Sequence, residues 1–222
     1  ILDNFTELTA ELTAELTARR KQYEHYRDLL LGFDGQRDIA AQWMTLNQIS
    51  INRDAKRKPV TKSQRTTGEY PYYGASGIVD YVSDYLFDGD YLLVSEDGAN
   101  LIARNTPIAF SISGKTWVNN HAHVLKFSNY ASRKFVEIYL NSIDLSRYIS
   151  TAAQPKLTQD NLNKIPIPVP SLAEQERIVA ILDRFDALCN DLSSGLPAEI
   201  EARRKQYEYY RDKLLTFKEK TA

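Results

Sequence analysis

Cysteine, methionine, histidine and uninterrupted apolar sequence are all scarce in this 222-residue chain, and each scarcity narrows what it can be. A single cysteine, Cys189, rules out a disulfide within the chain, fits a reducing compartment and, in its helical apolar pattern, reads as a thiol packed near an interface. No apolar run approaches the roughly 20 residues of a membrane span, and no basic-then-apolar leader opens the sequence. A cytoplasmic chain with no membrane partner is expected. The net charge of -1 removes bulk attraction to phosphate as a general explanation for any nucleic-acid binding. Segments 1–33, 34–170 and 171–222 carry about -2, +2 and -1, so the little positive excess there is lies in the centre.

Signatures of chemistry are equally thin. "GASG" at 74–77 lacks the long glycine-rich lead and Lys-Ser/Thr ending of a phosphate loop. No glycine-rich strand-to-helix turn marks a dinucleotide or methyl-donor site, so no cofactor is expected. His121 and His123 alternate as two metal ligands on one strand face would, but no third ligand has supporting spacing. Structural, hydrogen-bonded histidines are the plainer reading. Ser95, Asp97 and either histidine compose a triad only on paper, because nothing around Ser95 resembles a nucleophile turn. The chain reads as a binding protein rather than an enzyme.

What is present is repetition. "ELTA" occurs three times in succession between Glu7 and Ala18, mixing strong helix formers with regularly spaced leucines. In a helix, each four-residue unit shifts its leucine by roughly 40° and lengthens the rod by roughly 6 Å. On a longer scale, "ILDNFTELTAEL" at 1–12 matches "ILDRFDALCNDL" at 181–192, and "ARRKQYEHYRDLLLGF" at 18–33 matches "ARRKQYEYYRDKLLTF" at 202–217. Ile1, Phe5, Leu8, Leu12, Leu16, Tyr23, Tyr26, Leu30 and Phe33 form an apolar stripe at helical spacing, and a comparable stripe runs from Ile178 to Phe217, with Gly195 and Pro197 expected to break it. Helices that share sequence are expected to pack by approximate two-fold symmetry. Because one enters the intervening segment and the other leaves it, they should run antiparallel. The chain opens inside this pattern and without methionine, so a longer parent protein is expected.

Between the helices the pattern changes. "YPYYGASGIVDYV", "YLLVSEDGAN" and "PIAFSISGKTWVNNHAHVLKF" are β-branched and aromatic runs punctuated by turn residues, and predict strands. Residues 132–143 predict a helix started by a serine, 155–165 a short one capped by Thr158, and 166–170 an extended proline segment. The fold class expected is α+β: a long helix at 1–33, a mixed globular domain at 34–170, and a second long helical region at 171–222 that packs on the first like an antiparallel coiled coil. Within the globular part, Arg53, Lys56, Arg57, Lys58, Lys62 and Arg65 precede Tyr70, Tyr72 and Tyr73, a basic loop beside aromatics that suits phosphate positioning with stacking nearby. Ser113, Lys115, Asn119, Asn120, Gln154, Lys156 and Gln159 are candidate base-edge contacts, amides suiting adenine and cations guanine.

Taken together, "GEYPYYGASGIVDYV", "DGDYLLVSEDGAN", "WVNNHAHVLKF", "STAAQPKLTQDNLNKIPIPVPSLAEQERIVAILDRFDALCNDL" and the paired "ARRKQYE" segments resemble a type I restriction-modification specificity subunit, over nearly the whole chain. That resemblance implies a non-catalytic reader of double-stranded DNA, with one recognition domain for one half of a split site and helices that set the half-site gap. It implies methyltransferase partner subunits and a nuclease/translocase subunit. With a single recognition domain, a homodimer is expected to restore the second half. The alternative from another class is an oligomerisation module whose middle domain reads no DNA.

Overall fold

The computed structural model describes residues 2–33, 40–103, 106–151 and 154–216; Ile1 and Phe217, the ends of the two stripes, lie outside them. In chain order the elements begin with α1 (Leu2–Leu31), β1 (Gln42–Thr45), α2 (Leu46–Ile49), β2 (Ile51–Asn52), β3 (Thr67–Gly74) and β4 (Gly77–Val82). Next come β5 (Phe87–Asp88), β6 (Tyr91–Ser95), α3 (Gly98–Ala103), β7 (Ala109–Ile112), β8 (Lys115–Val118) and β9 (Ala122–Lys126). The chain ends with α4 (Tyr130–Ser142), α5 (Gln159–Asn163), β10 (Pro166–Val169), α6 (Leu172–Asn190) and α7 (Leu196–Leu215). They form two units: residues 1–31 with 180–222, and residues 32–179.

The helical unit is antiparallel. Phe5, near the start of α1, stacks on Tyr210, near the end of α7, with centroids 5.5 Å apart; Tyr26, near the end of α1, stacks on Phe185 of α6 at 5.6 Å. Leu8, Leu12 and Leu16 are half-buried, as a seam of four-residue steps requires. Each threonine of the repeat turns back on its own helix: the hydroxyls of Thr9, Thr13 and Thr17 donate to the carbonyls of Phe5, Thr9 and Thr13 at 2.7, 2.7 and 2.9 Å. Cys189 is buried in this unit, and burial pushes its thiol above the ordinary range. The expected break occurs between α6 and α7. Gly195 caps α7 and Pro197 sits in its first turn, where a missing N–H costs nothing. A Cβ on Gly195 would lie 2.6 Å from the carbonyl oxygen of Ala187, so glycine is required there by close approach.

In the other unit, two four-stranded sheets, β2-β9-β6-β7 and β4-β3-β8-β5, enclose a core of Phe87, Tyr91, Leu93, Ile112, Val118 and Val124. Alternate residues of β6, Leu92 and Val94, are also fully buried, which is why "YLLVS" reads as a continuous apolar run. α4 lies against β6 and β7, and Asn141 fastens it by accepting from the Ala109 N–H at 3.1 Å and donating to the Ala109 carbonyl at 2.7 Å. This helix starts two residues before the expected serine, because Asn129 is the cap and accepts from the Ser132 N–H at 2.8 Å. "DGAN", expected to follow a strand as a turn, instead opens α3. The proline segment does more than extend: as β10 it pairs antiparallel with β1, a two-stranded sheet in which missing proline N–H groups are tolerated. The first turns of α6 belong to this unit, where Gln175 is buried, accepts from Ser132 and donates to the Pro170 carbonyl.

Candidate nucleic-acid interface

Period-two alternation places the site. Thr116 and Val118 of β8 point into the core, so Lys115 and Trp117 face outward; on β3, Tyr73 packs toward the core while Tyr72 stacks on Trp117 across the parallel β3/β8 pair, centroids 6.4 Å apart. The basic segment 53–65 lies over this outer face. Trp117 donates its ring N–H to the Lys58 carbonyl at 2.7 Å, and the Val60 N–H donates to the Tyr72 hydroxyl at 3.0 Å.

Five of its six cations divide into two kinds. Arg57 and Arg65 are bolts. Arg57 bonds Glu96 at 3.0 Å, Asp54 at 3.3 Å and the Ala122 carbonyl at 2.9 Å, leaving its side chain 14% exposed. Arg65 bonds Asp80 at 3.0 Å and the Val60 carbonyl at 3.0 Å, and its guanidinium lies 4.3 Å from the centre of the Tyr72 ring. That hydrogen bond holds the Asp80 carboxyl below its ordinary range, aided by the Tyr81 N–H. Lys56, Lys58 and Lys62 are the other kind: exposed, and without an ion pair among the described residues. Arg53 is half-buried and donates its backbone N–H to Val124 at 2.8 Å.

Three acidic residues that no motif or spacing singles out hold this arrangement. Asp54 is buried; its Oδ2 lies 2.6 Å from His123 Nδ1 and its Oδ1 accepts from the Val124 N–H at 2.8 Å. Burial pushes this carboxyl up, but the His123 bond and charge, the Val124 N–H and Arg57 outweigh it and hold it below the ordinary range. The other His123 nitrogen donates to the Leu157 carbonyl at 2.7 Å, so both ring nitrogens are engaged and His123 is structural. His121 instead lies 3.0 Å from Asp97, so the two histidines share no site. The Ser95 hydroxyl is buried and bonds neither histidine. Glu96 joins Arg57 to Lys156, which it meets at 3.1 Å, while Asp80 anchors Arg65.

Other candidates fall into place unevenly. Lys115 lies 4.8 Å from the Tyr85 ring centre and 5.9 Å from that of Tyr70, the two rings meeting edge-on at 5.2 Å. Tyr85 could have been found only by knowing the fold. Tyr72, at 1% exposed, supports the loop from beneath rather than facing solvent. Asn119 is buried and accepts from the His121 N–H, whereas Asn120, Ser113, Gln154 and Gln159 are exposed. Trp117 was legible in principle, since Lys115 and Trp117 are two apart on one strand.

No helix among the described residues is long and apolar enough to cross a membrane. Residues 42–202 match the family described as type I restriction modification DNA specificity domain. A Haemophilus influenzae protein named as a type I restriction enzyme specificity subunit is 39% identical over 182 residues, covering 80% of this chain and 47% of that one. A Mycoplasma pneumoniae protein named as a type I specificity subunit is 34% identical over 231 residues, covering 99% of this chain and 91% of its own. The crystal structure of a type I restriction-modification system S subunit from M. genitalium superposes with a TM-score of 0.70 at 18% identity, over 99% of this chain and 59% of that one, and shares the fold. The chain thus spans about half the length of the Haemophilus relative and most of the Mycoplasma pneumoniae one.

Proposed function

The chain belongs to the type I restriction modification DNA specificity family, and on that premise we propose that it reads one half of a split sequence in double-stranded DNA. It does so without catalysis of its own, as a scaffold on which methyltransferase and nuclease subunits supply the chemistry. Two copies assemble so that both halves are read, and the paired helices fix the distance between them.

The observation that carries the DNA reading is the division of labour within residues 53–65. Two arginines are consumed by structural ion pairs, and the three lysines between and beside them project from a loop whose shape is already fixed. Cations held on a preformed support lose little freedom on meeting phosphate, which is what a positioning contact needs. Lys115, over Tyr85 and Tyr70, extends the same chemistry along the sheet.

The test replaces Lys56, Lys58 and Lys62 together by alanine and measures duplex affinity against salt concentration. Arg57 and Arg65 are left in place, because their loss disturbs the fold. If all three lysines meet phosphates, the salt slope becomes shallower by up to about 3 and affinity falls on every sequence. An unchanged slope would return the chain to the oligomerisation class.

A further inference from the structure

We infer that Trp117 and Tyr72 are positioning residues for base recognition: they hold the loop 57–65 at the height from which its exposed Thr61, Ser63 and Gln64 meet base edges while its lysines meet phosphates, and touch no DNA themselves. This inference rests on the DNA reading above. Nothing in the relationship to specificity subunits assigns either residue such a role.

The loop packs onto the sheet only in part, with Arg65 over the Tyr72 ring at 4.3 Å. A cavity of about 260 Å³ separates them, walled by Val60, Gln64 and Arg65 from the loop and by Tyr72, Val82 and Trp117 from the sheet. Where close packing is missing, discrete bonds must set the loop's position. Beyond the Lys58 N–H, which donates to the Val118 carbonyl at 3.3 Å, and Arg65 Nε, which donates to the Val60 carbonyl at 3.0 Å, the bonds at the middle of the loop come from two side chains. The Trp117 ring N–H donates to the Lys58 carbonyl at 2.7 Å; the Tyr72 hydroxyl accepts from the Val60 N–H at 3.0 Å and donates to the Val60 carbonyl at 3.4 Å. The ends are bolted separately, at Arg57 by Glu96 and at Arg65 by Asp80. Losing a middle pin therefore loosens the span between two fixed ends without detaching it.

Such loosening has a selective effect. Phosphate attraction tolerates a displacement of an ångström or so, because long lysine side chains follow the backbone charge. Hydrogen bonds to base edges do not. The two pins should thus govern discrimination between sequences and leave non-specific affinity alone.

The experiment first selects duplexes bound by the unaltered full-length chain from a random pool. It then measures affinity for the selected and a scrambled duplex in Trp117→Phe, Tyr72→Phe and the double variant. Tyr72→Phe removes only the hydroxyl; Trp117→Phe removes the ring N–H and keeps a smaller aromatic ring against Tyr72. Each single variant should lose about five-fold on the selected duplex, the equivalent of one net hydrogen bond, with scrambled-duplex affinity and salt slope unchanged. The double variant should lose less than the product of the singles, because both pins hold one loop. Hydrogen exchange at the Val60 amide should accelerate in Tyr72→Phe. Unchanged selected-duplex affinity in both single variants overturns the inference, as does an equal loss on both duplexes. If the unaltered chain binds no duplex, the DNA reading falls and this inference with it; binding by the unaltered chain together with intact discrimination in the variants overturns this inference alone.

Discussion

Phe5 and Tyr210 stack at 5.5 Å, and the residues that repeat them in sequence, Phe185 and Tyr26, stack at 5.6 Å, so one contact occurs twice with its partners exchanged. The ion pairs repeat as well. Arg19 meets Glu15 and Gln22 at 2.7 and 2.8 Å, and Arg203 meets Glu199 and Gln206 at 2.8 and 2.9 Å. Phe5→Ala and Phe185→Ala should therefore destabilise the helical unit by similar amounts, about 1 to 3 kcal/mol each, read from urea unfolding. Costs differing by several kcal/mol would show that the symmetry is one of sequence and not of energetics.

The Asp54–His123 pair makes stability depend on acid. Asp54 is held below its ordinary range, so its contribution is fully present above about pH 4 and is lost as pH falls through the folded-state value. Asp54→Asn should cost about 3 kcal/mol at pH 7, since it removes the buried carboxylate bonded to His123, to the Val124 N–H and to Arg57, which keeps only Glu96 as a counterion. It should also flatten the fall in stability below pH 4. Urea midpoints at pH 7 and pH 3 check both.

Arg57→Ala and Lys58→Ala test the division between bolt and free cation. The first should destabilise by about 2 to 4 kcal/mol, and the second should change stability by less than about 0.5 kcal/mol while weakening duplex binding. Thermal melts and binding isotherms on the same samples separate the two outcomes.

Gly195→Ala should destabilise by about 2 to 3 kcal/mol, although its φ of -84° suits any residue. The cost comes from the close carbonyls of Ala187, Asp191 and Leu188, all within 2.9 Å of the added carbon. A variant as stable as the parent would mean that the α6–α7 turn shifts freely.

Deleting Leu12 to Glu15 should shorten the preferred gap between half-sites and leave the bases read in each half unchanged. Selection from a random duplex pool, with the methyltransferase partner present, reads both properties. Altered bases at an unaltered gap would refute the helices as the spacing element.

Much of this was legible before any coordinates. The four-residue steps of Leu8, Leu12 and Leu16, the near-duplication around Tyr26 and Tyr210, and the break at Gly195 and Pro197 dictate the helical pair through local rules. Runs of β-branched and aromatic residues between turn residues placed β3, β4, β6, β7, β8 and β9. The site was read less well. A run such as "RDAKRKPVTKSQR" announces charge but not which cations are already paired, because Asp80, on β4, and Glu96, just after β6, arrive from later in the chain. The same distance hid the role of His123, whose partners Asp54 and Leu157 lie on either side of it in sequence. Long-range pairing is a property of topology, which periodicity does not carry.

The threonines of α1 have a consequence for how such a protein changes over time. Thr13 and Thr17 satisfy their hydroxyls on carbonyls one turn back, so if Leu12 to Glu15 were lost, Thr17 would find the carbonyl of Thr9 where that of Thr13 had been. Each four-residue link is chemically self-contained, and its gain or loss strands no polar group. A copying slip in the gene can therefore reset the calibration of the rod in a single event, with no compensating substitution inside the helix.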